Sequence, residues 1–279
     1  MTPSNLDQFE EAIFYLDRKV SKAIRRYGLI SDGDRILVGV SGGKDSLALL
    51  HVLARRRRWG PERYDLVACH VRQDFQQPAK AGEDLAPRQG AAAQSDGRQG
   101  APAHSDGHAL EDLLARECEE LGVPFVSVNA EPLPEPEQLQ EKVARCLLCS
   151  RRRKKALFET ALAQGCRLVA LGHHKEDAAE TVLLNLVWQG RCEGIPPRRE
   201  FFGGLVTVIR PLLLVDEAEL ARVCRLRGFP ARSCSCPYAD HSRRETAAQM
   251  LALARRAGAK DAASNLLNVS LRVLADKVE

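Results

Sequence analysis

The tightest constraint on this chain is a six-residue stretch. Ser41-Gly42-Gly43-Lys44-Asp45-Ser46 follows directly on the apolar run Ile36-Leu37-Val38-Gly39-Val40 and leads into a segment with helical character from about Asp45 to Arg58. The apolar run fits a buried strand, and two adjacent glycines let the backbone after it curl into a nest of N–H groups at the N-terminus of the next helix. Lys44 and the hydroxyls of Ser41 and Ser46 complete an anion site for phosphate or pyrophosphate at the carboxyl edge of a parallel sheet. The usual Gly-x-x-x-x-Gly-Lys loop is absent, because position 38 is Val38 and the lysine is followed by Asp45, and no Gly-x-Gly-x-x-Gly occurs. A glycine turn that merely caps a helix is the alternative reading, and it leaves the Lys-Asp-Ser addition unexplained.

The same alternation continues along the chain. Leu6, Phe9, Ile13, Leu16, Val20, Ile24 and Tyr27 recur at helical spacing and stop at Gly28. Strands are expected at 65–71, 125–128, 167–171 and 205–209, and helices near 110–121, 150–164 and 176–189. Strands alternating with helices predict an α/β fold, a doubly wound, Rossmann-like parallel sheet with helical additions at both ends. The expected division is an N-terminal helix (1–29), an α/β domain (30–215) and a C-terminal helical segment (216–279). Residues 77–109 break the pattern. Within them RQGAAAQSDG (88–97) and RQGAPAHSDG (98–107) match at eight of ten positions and lack core-forming residues, so the stretch reads as a disordered insertion.

With 44% hydrophobic and 28% charged residues, the chain is neither wholly disordered nor collagen-like. It has no apolar run of membrane-spanning length, and its first residues carry neither a basic nor an apolar leader region, so a soluble, cytoplasmic protein with no membrane partner is expected. Net charge is only +4, but the basic residues cluster: seven of them, with no acidic residue, lie between Lys142 and Lys155, and Arg55 to Arg58 form a second block. Each block is either a polyanion-binding surface or a solvated helix face.

Nine cysteines in a reducing compartment do not suggest a disulfide framework. Cys69, Cys118, Cys166, Cys192 and Cys224 stand alone in apolar-periodic segments and read as small buried hydrophobes. Cys146/Cys149 and Cys234/Cys236 are close pairs, and the first adjoins the densest basic run, whose charge favours thiolates. Four sulfurs would close a tetrahedral zinc site, whereas three would leave one iron of a four-iron cluster open.

The Ser-Gly-Gly-Lys-Asp-Ser loop resembles the PP-loop of the ATP pyrophosphatases, which cleave ATP to AMP and pyrophosphate while adenylating a substrate oxygen. With residues 146–153 (Cys-Leu-Leu-Cys-Ser-Arg-Arg-Arg), 171–177 (Leu-Gly-His-His-Lys-Glu-Asp), 194–197 (Gly-Ile-Pro-Pro), 209–212 (Ile-Arg-Pro-Leu) and 236–239 (Cys-Pro-Tyr-Ala), the likeness narrows to the tRNA 2-thiocytidine synthetases, from about Arg35 to Asn268 outside the insertion.

The resemblance implies ATP and Mg²⁺ at Ser41, Gly42, Gly43, Lys44, Asp45 and Ser46, and adenine-side contacts at Cys69, His70 and Val71. Gly172 and His173 would lie across the nucleotide. It further implies a [4Fe-4S] cluster on Cys146, Cys149 and Cys236, with Cys236 preferred to Cys234 for its spacing to Arg243-Arg244-Glu245. Lys44 would neutralise phosphate charge, Asp45 would assist Mg²⁺, Asp177 would assist the nucleotide step and Arg153 would orient the activated base; for Asp177 a plain helix cap, and for Arg153 a surface arginine, remain alternatives. The implied partners are tRNA and a sulfur donor such as a cysteine desulfurase, and a homodimer is expected. With 5% aromatic residues, recognition of a folded tRNA by shape and charge fits better than a base-stacking platform. A tRNA lysidine synthetase, which shares the loop without needing cysteines, and a zinc-stabilised nucleotide- or RNA-binding module are the alternatives.

Overall fold

The computed structural model describes residues 3–72, 105–133, 142–229 and 243–275. Helix α1 (Pro3–Tyr27) is followed by strand β1 (Asp34–Gly39), α2 (Lys44–Trp59) and β2 (Tyr64–Arg72). Then come α3 (Ser105–Glu120), β3 (Phe125–Asn129), α4 (Lys142–Ala163), β4 (Leu168–Ala170) and α5 (Lys175–Gln189). The chain continues through β5 (Arg198–Phe201), β6 (Val206–Ile209), α6 (Glu217–Arg227), α7 (Arg243–Arg256) and α8 (Ala262–Ala275).

The expected α/β architecture is present. One sheet has the order β3-β2-β1-β4-β6-β5, with β1 parallel to β2 and β4, β2 to β3, and β4 to β6. From β1 the chain builds outward to β2 and β3, then crosses back to β4 and β6. The strand order therefore reverses between β1 and β4, where an open α/β sheet leaves a crevice at its carboxyl edge.

Two apolar layers flank the sheet. On one face Ile36, Val38, Leu66 and Ala170 pack against α1, α2, α3 and α6 through side chains such as Leu16, Leu50, Leu114 and Leu220. On the other, Leu37, Val67, Val169 and Val208 meet Phe158 and Ala161 of α4. Strands buried on both faces lack polar alternation, which is why they read as plain apolar runs. Away from the strands, α5 packs with α7 and α8 through Ala179, Leu251 and Ala263 and through Ala178 and Leu267.

Three expectations need correction. β5 was missed: Arg-Arg-Glu-Phe has no apolar run because it is an edge strand, antiparallel to β6, with its first three residues exposed. α3 begins at Ser105, inside the stretch expected to be insertion, while residues 73–104 lie outside the described residues. α4 begins at Lys142, two turns before the expected start near Ser150, so the Cys-x-x-Cys lies within the helix instead of just ahead of it.

Candidate functional site

The loop after β1 is held from three sides. The Val40 N–H donates to Cys69 O at 2.8 Å, and buried His70 donates from Nδ1 to Val40 O at 2.8 Å, which fixes its tautomer. Gly42 has φ +78°, the left-handed backbone that favours glycine, and a Cβ there would also push aside the Leu110 side chain. Gly43 is the N-cap of α2 with ordinary φ −78°, and a Cβ there would meet only Ser41 Oγ at 3.4 Å. The side-chain direction at 43 is therefore open, toward the mouth of the loop.

Both hydroxyls brace the loop. Ser46 Oγ donates to Gly43 O at 2.9 Å and accepts from Ser41 N–H at 3.1 Å, while Ser41 Oγ accepts from Gly43 N–H at 3.3 Å. Gly172, just past β4, abuts the first turn of α2: a Cβ there would lie 3.1 Å from the backbone of Asp45 and Ser46. This close approach joins the ends of β1 and β4 at the switch point.

Lys44 Nζ lies 3.1 Å from Asp45 Oδ1 and 3.0 Å from Glu217 Oε1 at the start of α6. Burial alone would lower its pKa, but the two carboxylates raise it on balance, so Lys44 is a fixed cation. Burial pushes the Asp45 carboxyl up, against the pull of His174 and Lys44.

At the N-terminus of α5, His174 is the N-cap, and its N–H donates to Asp177 Oδ2 at 2.9 Å in a capping box. The other oxygen of Asp177 is paired with Arg244 of α7. Asp177 is thus a helix-capping carboxylate, and it belongs to a cluster in which His174 Nε2 lies 3.6 Å from Asp177 Oδ2 and 4.0 Å from Asp45 Oδ2. Burial would lower the His174 pKa, yet Glu176, Asp177 and Asp45 raise it. His173 is different: its Nδ1 is buried without a hydrogen-bond partner, and burial, reinforced by Arg210, pushes its pKa down to about 4. Val71, at the end of β2, is half-buried against the α4 layer.

On α4, Cys146 is exposed and Cys149 buried. Exposed Arg153 lies seven and four residues after them, on the same face of the helix at 3.6 residues per turn. The first turns of α4 stand at the carboxyl edge with the loop, since the helix runs from that edge toward the start of β4. Cys234 and Cys236 lie outside the described residues, and among the described residues no group of three or more His, Cys, Asp or Glu side chains forms a metal site.

Of the lone cysteines, Cys69, Cys118, Cys166 and Cys224 are buried, with thiol pKa values pushed up by burial, to about 11 for Cys69 and about 12 for Cys118 and Cys224. Cys192 departs from expectation, being only half-buried in the loop after α5.

The second basic block also departs from expectation. It ends α2, about 20 Å along the helix from the phosphate loop. Arg55 pairs with Glu10 at 2.7 Å, Arg56 is buried between Asp17 and Glu62, and Arg57 donates to the carbonyls of Leu121 and Gly122. These three arginines tie α1, α2 and α3 together. Sequence reasoning missed Glu217, Glu176, Arg210, Arg244 and Arg255, which reach the site from later helices or from the end of β6. Three of them lie in stretches singled out in the sequence, Glu176 in Lys-Glu-Asp, Arg210 in Ile-Arg-Pro-Leu and Arg244 in Arg-Arg-Glu, while nothing there pointed to Glu217 or Arg255.

The PP-loop domain family matches residues 106–232. A tRNA-cytidine(32) 2-sulfurtransferase from Alkalilimnicola ehrlichii is 36% identical over 221 residues, 79% of this chain, and this chain spans 60% of that protein's length. One from Anaeromyxobacter dehalogenans is 34% identical over 248 residues, covering 87% of this chain and 75% of the relative. Among solved structures, the U34-tRNA thiolase NcsA from Methanococcus maripaludis, determined with its [4Fe-4S] cluster, superposes with a TM-score of 0.68 at 21% identity, covering 96% of this chain and 80% of that one, so the two share a fold. By loop, sheet order and identity over most of its length, this chain belongs to the tRNA-cytidine(32) 2-sulfurtransferase family.

Proposed function

We propose that this chain replaces the C2 oxygen of a tRNA cytidine with sulfur, at the expense of ATP. The observation that carries the reading is the presence, at one carboxyl edge, of an open glycine nest beside a fixed lysine and of a helix carrying Cys146, Cys149 and Arg153 on one face. Family membership supplies the substrate class.

In this reading the ATP phosphates enter the mouth of the loop at Gly43 and meet the backbone N–H groups and positive end of α2. The cytidine C2 oxygen attacks the α-phosphorus and pyrophosphate leaves, with Lys44 offsetting the charge that accumulates on it. Sulfide then adds at C2, and AMP departs with the original oxygen. Asp45 is the carboxylate that would hold Mg²⁺, and Asp177, set beside His174, assists at the nucleotide. Arg153 orients the activated base.

Cys146 and Cys149, one turn apart, suit a shared thiophilic group, and Cys236 would supply the third thiolate of a [4Fe-4S] cluster of the kind this fold hosts in NcsA. When bound, that cluster supplies the nucleophilic sulfur. The partners are tRNA and a sulfur donor such as a cysteine desulfurase, in the cytoplasm, with the protein as a homodimer.

The test is anaerobic purification with iron, sulfide and zinc analysis, then incubation with unmodified tRNA, ATP, Mg²⁺ and sulfide and digestion to nucleosides. The expected result is iron and sulfide in the protein and 2-thiocytidine formed in step with AMP. Zinc without iron, and no thiolated nucleoside, would favour the structural-zinc module.

A further inference from the structure

Arg210 immediately follows β6 at the carboxyl edge and is 8% exposed. Its Nη1 donates to Pro196 O at 2.6 Å, while its Nε is buried with no hydrogen-bond partner. The β5–β6 register continues through it, since Arg210 N–H donates to Pro197 O and Arg199 faces Val208. Arg199, Phe201, Val208 and Arg210 therefore share the sheet face that α4 covers.

Phe201 packs on Phe158 of α4 with ring centroids 5.0 Å apart. Lys154, one turn before Phe158, places Nζ 5.7 Å from the Phe201 centroid, and Arg199 places Cζ 5.3 Å from it. Two cations thus converge on one ring, with Arg210 beside them.

Lys154, Arg199 and Arg210 have no carboxylate partner among the described residues. The neighbouring cations do: Arg152 and Lys155 are paired with Glu131, and Arg198 with Glu200. The three unpaired cations burden one another. Burial lowers the Lys154 pKa, and Arg210, Arg199 and Arg151 lower it further; burial and Arg199 bring Arg210 down to about 10. A buried guanidinium with an orphan donor, beside two uncompensated cations, is completed by an anion from outside.

Position decides between the phosphates available. β5 is three strands from β1 in the sheet, about 14 Å at the usual strand spacing, so a phosphate seated in the Gly42–Gly43 nest is out of reach of Arg199.

We infer that Lys154, Arg199 and Arg210, between α4 and the β5–β6 edge, form a binding site for the phosphodiester backbone of the RNA substrate. This rests on the reading that the substrate is RNA, and it confines the basic run of α4 to one working flank, excluding Arg152, Lys155 and the block at Arg55 to Arg57.

The experiment measures binding of an unmodified tRNA transcript between 50 and 200 mM salt, ATP affinity, and melting temperature. It compares wild type, the exposed double variant Lys154→Ala/Arg199→Ala, the single variant Arg199→Gln, and the control Arg152→Ala/Lys155→Ala. Two lost phosphate contacts reduce the salt slope by about two, so wild-type affinity falls about ten-fold more steeply across that range than the double variant's. Arg199→Gln loses about one unit of slope, the control none, and ATP affinity stays at the wild-type value throughout. Wild-type slope in a folded double variant overturns the inference and leaves the thiolation reading standing. Lost ATP affinity with unchanged tRNA binding reassigns the site to the nucleotide and also overturns it. A wild-type protein that binds no tRNA at any salt overturns both.

Discussion

Replacing Glu176 with glutamine should loosen the helices that frame the site, by an amount the geometry sets. Glu176 is 4% exposed, and three elements converge on its carboxylate. Its Oε2 accepts the Glu217 N–H of α6 at 2.9 Å and lies 3.2 Å from His174 Nδ1, while Oε1 accepts from Arg255 of α7 at 2.7 Å. Burial alone would raise the Glu176 pKa, but the bonds from His174, Arg255 and the Glu217 backbone outweigh it and hold the carboxyl near 2, against an ordinary 4.5. That difference is worth about 3 kcal/mol at neutral pH, so Glu176→Gln should lower the melting temperature by roughly 6–12 °C.

The pH dependence carries a definite sign. A depressed carboxylate contributes its full stability above its unfolded pKa and loses it as pH falls through the folded one. The gap between wild type and variant should therefore be constant from pH 7 to 5, shrink to about half by pH 3 and vanish below pH 2. Urea unfolding at pH 7, 5 and 3.5 reads it directly, and NMR titration should show the His174 pKa falling in the variant, since Glu176 is the largest of the groups that raise it. A gap below 1 kcal/mol at pH 7, or one that stays the same size at pH 3.5, would refute the reasoning.

Gly43→Ala, which the fold accommodates, should keep the wild-type melting temperature and lose ATP binding at least ten-fold; Gly42→Ala should cost stability itself, by about 1 kcal/mol or more, because of its positive φ and Leu110. Wild-type ATP affinity in Gly43→Ala would remove the loop from the phosphate site. Arg56→Met should destabilise by about 3 kcal/mol, by stranding Asp17 and Glu62, without changing the salt slope of tRNA binding; an altered slope would restore the block at 55–58 as an RNA contact. Deleting residues 88–104, which stops short of the start of α3 at Ser105, should leave melting temperature and ATP affinity unchanged, and a drop of several degrees would show that the deleted segment packs.

Much of this was legible because local chemistry and fold agree. The four inner strands β2, β1, β4 and β6 are apolar runs, since a strand covered on both faces has no polar side to interrupt it, and the Gly-Gly-Lys loop carries its meaning in six residues. What was illegible depends on distant partners. Arg255 meets Glu176 across 79 positions and Arg244 meets Asp177 across 67, so nothing near Asp177 foretold that its second oxygen would be paired. Charge runs misled for the same reason: Arg56 and Arg153 look alike in sequence, but only the first has acidic neighbours on α1 and beyond α2. β5 escaped notice because an edge strand needs no apolar run.

The most direct test of sulfur insertion follows the departing oxygen. tRNA carrying ¹⁸O at the C2 position of its cytidines, incubated anaerobically with the protein, ATP, Mg²⁺ and sulfide, should give one ¹⁸O in the phosphate of each AMP for every 2-thiocytidine formed. AMP without label, or label retained in the tRNA while ATP is consumed, would contradict adenylation of the C2 oxygen.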